Sequence, residues 1–200
     1  MNYNGPKVRI SRKLGIQLTP KAQKVTAKKP YPPGAHGAGK RRGKMSDYGR
    51  QLMEKQRLRL QYNISEKQMR NYYKKATGIT GNTADILIGL IETRLDAVVL
   101  RSGFATTIYA ARQFVNHGHI LVNGKKVDIP SYQVKMTDTI SIKEKSRKME
   151  VFQNAVRSSA APQYIEVNKA DFSSKLIAEP AREDIPVVCE LALVVEYYSR

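Results

Sequence analysis

The chain has 200 residues, is 41% hydrophobic and carries 35 Lys and Arg against 17 Asp and Glu, a formal charge of +18. That length allows one ordinary domain or two small ones with a real core, and a surplus of this size costs self-repulsion unless a polyanion, most readily a nucleic acid, offsets it. A single cysteine, Cys189, excludes an internal disulfide and a cysteine-built zinc site; the start MNYNGPKVRI lacks a signal-peptide apolar stretch and no apolar run approaches a membrane span, so a soluble cytoplasmic or organellar chain is expected.

The charge is segregated. Residues 1–75 hold 20 Lys and Arg against three acids, Asp47, Glu54 and Glu66, whereas residues 76–200 hold 15 against 14. A basic N-terminal part joined to a nearly neutral domain is the organisation this predicts. Residues 1–45, with KKPYPPGAHGAGKRRGKM, read as an irregular basic extension: Pro30, Pro32 and Pro33 remove backbone donors and the glycines permit left-handed turns. Such a stretch is completed by its partner. Ser46 then caps a helix in SDYGRQLMEKQRLRLQY, with Tyr48, Leu52 and Leu60 among its apolar positions. Ser65 and Gln68 have capping-box spacing and open a second helix, and TADILIGLIE makes a third.

Beyond Thr93 the pattern changes. TRLDAVVLRSG predicts a short helix with Thr93 as N-cap and Gly103 as its stop; TTIYAARQFVNHG repeats the scheme, capped by Thr106 or Thr107 and stopped by Gly118. Asn123-Gly124 in ILVNGKKV marks a type I′ hairpin, since both residues tolerate positive φ. TISIKEK alternates like a strand buried through Ile140 and Ile142, and the terminal IPVVCELALVVEYYSR suggests a strand or two closing the structure. Helices and short strands without βαβ alternation give an α+β class. The expected organisation is a basic extension over 1–45, a helical domain over 46–91 continued by 149–200, and a small helix-helix-hairpin module over 92–148.

Catalytic patterns are poor. Gly34, Gly39 and Lys40 have phosphate-loop spacing, but Arg41 stands where Ser or Thr must hold magnesium, and KKPYPP is a poor strand to precede it. His117 and His119 straddle a helix stop with no evident third ligand, so a polar or stacking surface for RNA, or a helix cap, suits them better than metal. Tyr31, Tyr48, Tyr62, Tyr72 and Tyr73 lie among cations, where a ring could stack on a base; apolar periodicity reads Tyr48 and Tyr62 instead as partly buried core residues. Helix, glycine-stopped helix and hairpin together form a wedge with Leu95, Val99, Phe114, Ile120 and Val122 inside, directing Arg94, Arg101, Arg112, Lys125 and Lys126 outward. Rigidly presented cations suit double-helical RNA, which is recognised by shape and backbone.

The segments RLDAVVLRSGF, ARQFVNHGHILVNGKKVDIPSY and ISIKEKSR resemble the RNA-binding module named after small-subunit ribosomal protein S-four. PGAHG, SDYGRQLMEKQRLR, YNISEKQMRNYY and VVEYYSR extend the resemblance to the bacterial form of that ribosomal family, nearly end to end. The resemblance implies a non-enzymatic primary binder of small-subunit rRNA that nucleates assembly of the subunit body at a multi-helix junction of the 5′ domain. It also implies contact with ribosomal protein S-five, a place near the path by which messenger RNA enters, and an influence on decoding accuracy; no cofactor, metal or membrane is implied. The four zinc-binding N-terminal cysteines that some family members carry are missing here, and Thr106, Ile108 and Tyr109 stand where family members often have a basic cluster. The residues expected to meet RNA are Lys7, Arg12, Lys13, Lys40, Arg41, Arg42, Lys44, Arg50, Lys55, Arg57, Arg59 and Arg70, then Arg94, Arg101, Arg112, His117, His119, Asn123, Lys125 and Lys126. The alternative is an RNA-modifying enzyme using the same module as an accessory, for which the residues after Met149 offer little room.

Overall fold

The computed structural model describes residues 3–39, 45–158 and 161–200. In chain order these form α1 (Lys7–Leu14), α2 (Pro20–Lys28), α3 (Asp47–Gln61), α4 (Glu66–Thr77), α5 (Thr83–Glu92), α6 (Leu95–Arg101), α7 (Ile108–Asn116), β1 (Ile120–Val122), β2 (Lys125–Lys126), β3 (Thr139–Ile142), α8 (Glu144–Arg147), α9 (Glu150–Ser158), β4 (Ile165–Asn168), β5 (Ser173–Leu176), a 3-10 turn at Arg182–Asp184, and α10 (Leu191–Ser199). The class is α+β, as the pattern predicts. Two compact units divide the chain: residues up to Ala84 with Val187–Arg200, and Asp85–Pro186. No helix among the described residues is long and apolar enough to cross a membrane.

The first unit departs from expectation at its start. Residues 7–28 are two helices, not an irregular extension. Thr19 caps α2 by accepting the Ala22 amide at 3.1 Å, Pro20 fills its first position, and Gly15 at φ +69° ends α1. Leu14, Ile16, Leu18 and Ala22 are buried, and the Arg57 side chain of α3 donates to the Leu14 carbonyl at 2.9 Å. The Gly15 stop, the Thr19 cap and Pro20 are local signals for these helices; α2 packs on α1, and α1 in turn on α3. Ser46 caps α3, and the Ser65–Gln68 capping box opens α4, as their spacing predicts.

The chain end differs too. IPVVCELALVVEYYSR contains α10, not closing strands. Leu191 and Val194, three apart, are buried, Gln51 of α3 donates to Glu196 at 2.9 Å, and Glu54 accepts the Glu190 amide at 3.0 Å. Docking on α3 thus overrides the β-branched composition. Only Val187–Arg200, rather than all of 149–200, joins this helical unit.

In the second unit β2, β1, β3, β5 and β4 form a five-stranded antiparallel sheet in that order. Ile120 pairs with Ile142 and Val122 with Ile140, which places four buried side chains on one face. Between α6 and α7, Gly103 (φ +76°) lets the chain reverse. The residue after α6, Ser102, donates to Ser174 on β5 at 2.8 Å. Thr93 does not cap α6; Arg94 occupies the N-cap, and the Tyr132 and Pro130 carbonyls accept the amides of Leu95 (2.8 Å) and Asp96 (3.2 Å). A loop distant in sequence does the work of a cap.

Candidate nucleic-acid interface

Of the cations expected at the interface, several serve the fold. Arg94 and Asp96 are fully buried and bonded at 2.9 and 2.6 Å, with Arg112 reaching the same carboxylate at 3.4 Å. Burial pushes Asp96 up from the usual carboxylate range, and the two guanidinium groups oppose this. Arg101 pairs with buried Glu92, whose carboxylate also accepts the Tyr164 hydroxyl at 2.7 Å. Sequence spacing points Arg94 outward, but its side chain has no exposed surface. It is therefore removed from the RNA-contacting set. Ile108 is likewise buried, and Thr107, not Thr106, caps α7.

In the first unit Lys55 is buried, bonds Glu66 at 3.0 Å and lies 4.4 Å from the Tyr197 ring centroid. Arg59 bonds Gln56 at 2.8 and 3.1 Å and approaches Glu66 at 3.8 Å. Burial pushes Glu66 up, but hydrogen bonds from Tyr198 and Lys55 and the charges of Lys55 and Arg59 bring it below its ordinary value. Arg57 pairs with Glu54 and the Leu14 carbonyl. Arg12 holds the carbonyls of Lys29, Tyr31 and Pro32 at 3.2, 3.0 and 3.3 Å, its guanidinium 4.9 Å from the Tyr31 ring. Lys7 donates to the Asn4 carbonyl at 3.0 Å. Tyr62 is buried as predicted, whereas Tyr48 is half exposed.

The outward-facing candidates are fewer. Lys13 and Arg70 are exposed, and Arg50 pairs with Asp47 at the surface. Arg9 is exposed as well, although the sequence reading does not single it out; its i, i+4 relation to Lys13 on α1 is the signal that could have found it. Lys40, Arg41, Arg42 and Lys44 lie outside the described residues.

The hairpin is the best-built presentation. Asn123 and Gly124 have φ of +50° and +76°, as a type I′ turn needs. The Asn123 side chain donates to Asp138 at 2.8 Å and accepts the Thr139 amide at 2.9 Å, so this residue fixes the turn. Asp138 further accepts from the Lys135 amide at 3.0 Å and Tyr132 at 3.4 Å. Burial raises its pKa, but these hydrogen bonds and the Lys135 charge hold it below the ordinary value. Lys125 and Lys126 are exposed on β2. Gly118 (φ +71°) ends α7, and a Cβ there would stand 2.2 Å from Lys126 Cε, so the glycine both reverses the chain and clears the lysine's stem. His117 is exposed; His119 bonds Ser146 at 2.9 Å and packs edge-on to Phe114 and Phe152. Burial, then His117 and Lys143, push His119 below the usual imidazole range.

Comparison with known proteins decides the family. The model described as Ribosomal protein S4/S9 N-terminal domain matches residues 2–92, and the S4 domain matches residues 93–140. Small ribosomal subunit protein uS4 of Streptomyces avermitilis is 50% identical over 204 residues, covering all of this chain and 99% of its own. The chain belongs to the uS4 family. The uS4 protein of Thermobifida fusca is also 50% identical, with both chains fully covered, and that of Roseiflexus castenholzii is 48% identical over 99% of this chain and 98% of its own. The S4-domain match spans α6, α7, the hairpin and the start of β3, so it contains the Gly118 stop, the Asn123–Asp138 clamp and both exposed lysines.

Proposed function

We propose that this uS4-family chain is a structural component of the small ribosomal subunit, binds rRNA and is not an enzyme. The carrying observation is the end-to-end likeness to uS4 proteins, within which the S4 domain holds Lys125 and Lys126 outward on a clamped hairpin. Fixed cations of this kind meet phosphates without reading bases. The basic first third adds sequence-independent affinity through counterion release. In the finer reading, the chain joins the 5′ domain early, at a junction of several rRNA helices, and nucleates the subunit body. There it neighbours protein S-five and the path of incoming messenger RNA, works in the cytoplasm or an organelle, and influences decoding accuracy.

The test is filter binding of the full chain to a 5′-domain rRNA transcript over a range of salt. Lys125→Ala/Lys126→Ala should weaken binding and reduce the log–log salt slope by about one unit for each phosphate no longer neutralised. An unchanged slope would remove the hairpin from the interface. Absence of the chain from sedimented small subunits would overturn the ribosomal reading itself.

A further inference from the structure

A cavity of about 630 Å³ opens between α1 and the turn PPGAHG, inside the first unit. Its lining includes Tyr3, Arg9, Ile10, Lys13, Pro33 and His36, and no acidic residue. Arg9 and Lys13 are exposed, and neither side chain has a hydrogen-bond partner among the described residues. Both are thus available to a ligand, unlike the cations engaged within the fold.

The walls are held in place. Arg12 ties the carbonyls of Tyr31 and Pro32 back to α1. Gly34 sits at φ +110° and accepts the Gly37 amide at 3.1 Å; a Cβ on Gly37 would stand 1.9 Å from the Pro32 oxygen, so only glycine closes this turn. On the other side Tyr3 bonds the Pro6 carbonyl at 3.4 Å, and a Cβ on Gly5 would press to 2.6 Å from the Tyr3 hydroxyl. A second cavity of about 380 Å³ adjoins, sharing Tyr3, Ile10 and Lys13.

We propose that the cavity receives one unpaired nucleotide of the bound rRNA, its base against Tyr3, Ile10 and Pro33 and its phosphate between Arg9 and Lys13. This rests on the rRNA-binding reading and deepens it. The volume lies within the roughly 300–1,000 Å³ usual for small-ligand sites. Flat apolar surfaces beside free cations, with no carboxylate, match a base carrying a phosphate and repel neither part. Because the walls are fixed before binding, ordering them costs little.

The test uses the full chain and a 5′-domain rRNA transcript carrying 4-thiouridine and its purine analogue, 6-thioguanosine, irradiated and mapped by mass spectrometry. An adduct within residues 3–13 or 31–37, abolished in the Arg9→Ala/Lys13→Ala variant together with a fall of about one or two units in salt slope, is expected. Both side chains are exposed, and circular dichroism checks that the variant stays folded. Full-affinity binding by the wild-type chain without an adduct there, or an adduct and slope unchanged in the variant, overturns the pocket but leaves the ribosomal reading intact. No binding by the wild-type chain overturns both. Uridine or guanosine monophosphate that, added before irradiation, suppresses the adduct at micromolar concentration overturns the RNA assignment in favour of a free nucleotide.

Discussion

Individual cations in this chain divide by burial rather than by position along the sequence. Arg94 and Lys125 both stand in the S4-domain match, yet the first is sealed against Asp96 and the second is exposed. Their substitutions should therefore fail differently. Arg94→Ala leaves the Asp96 carboxylate in the interior with the Ala97 amide and the more distant Arg112, and loss of one partner of a buried pair costs about 3–5 kcal/mol. Urea denaturation should show that drop, while the salt slope of RNA binding, measured where the variant is still folded, should match the wild type. A changed slope with undiminished stability would return Arg94 to the interface. The partner, Asp96, is only two residues away, but nothing local announces that the pair is buried at the start of α6, where the Pro130 and Tyr132 carbonyls meet its first amides.

Among the elements, the hairpin and the chain end show what the sequence discloses. Gly118 and Asn123-Gly124 are legible because positive φ is a local demand that few residues meet. The same holds for the Ser65–Gln68 box and the Ser46 cap. Both α1 and α2 carry local signals in Gly15, Thr19 and Pro20 that the surrounding cations and prolines mask. The helical state of α10 is not legible, since its deciding contact is with α3, far away in sequence. The trough along α1 is hidden for the same reason: PGAHG can be recognised, but not that Arg12 folds it back on its own helix.

The hairpin also responds to pH. Asp138 is held below its ordinary pKa, so in the carboxylate range the folded chain binds fewer protons than the unfolded one. Its stabilisation is complete above the unfolded value and disappears as pH falls through the folded one. Glu66 acts with the same sign in the first unit. Asp96, pushed up by burial, acts with the opposite sign, so the readout is the difference between chains: acidification from neutral pH should cost Asp138→Asn less thermal stability than the parent, and equal slopes in the two chains would deny Asp138 this part.

At the level of the whole molecule, the net charge belongs almost entirely to the first 75 residues, whereas the outward lysine pair belongs to the second unit. If both parts meet rRNA as proposed, salt sensitivity should rest mainly on the first and the hairpin should contribute mainly to placement. Removing residues 1–39 should reduce the salt slope by more than Lys125→Ala/Lys126→Ala does, since more free cations are taken away. Nuclease footprints at low salt should show the truncated chain still protecting part of the same rRNA region. A slope reduced equally by both changes would contradict the division.

The sheet order leaves β2 at an edge, two residues long and both lysine. An open strand edge is a template for adding another chain, and a short stretch of like charge discourages that addition. Before any rRNA is met, the same pair should therefore discourage copies of this protein from joining strand to strand. Sedimentation of the RNA-free Lys125→Ala/Lys126→Ala variant should reveal more self-association than in the parent chain; equal sedimentation of the two would deny the pair this part.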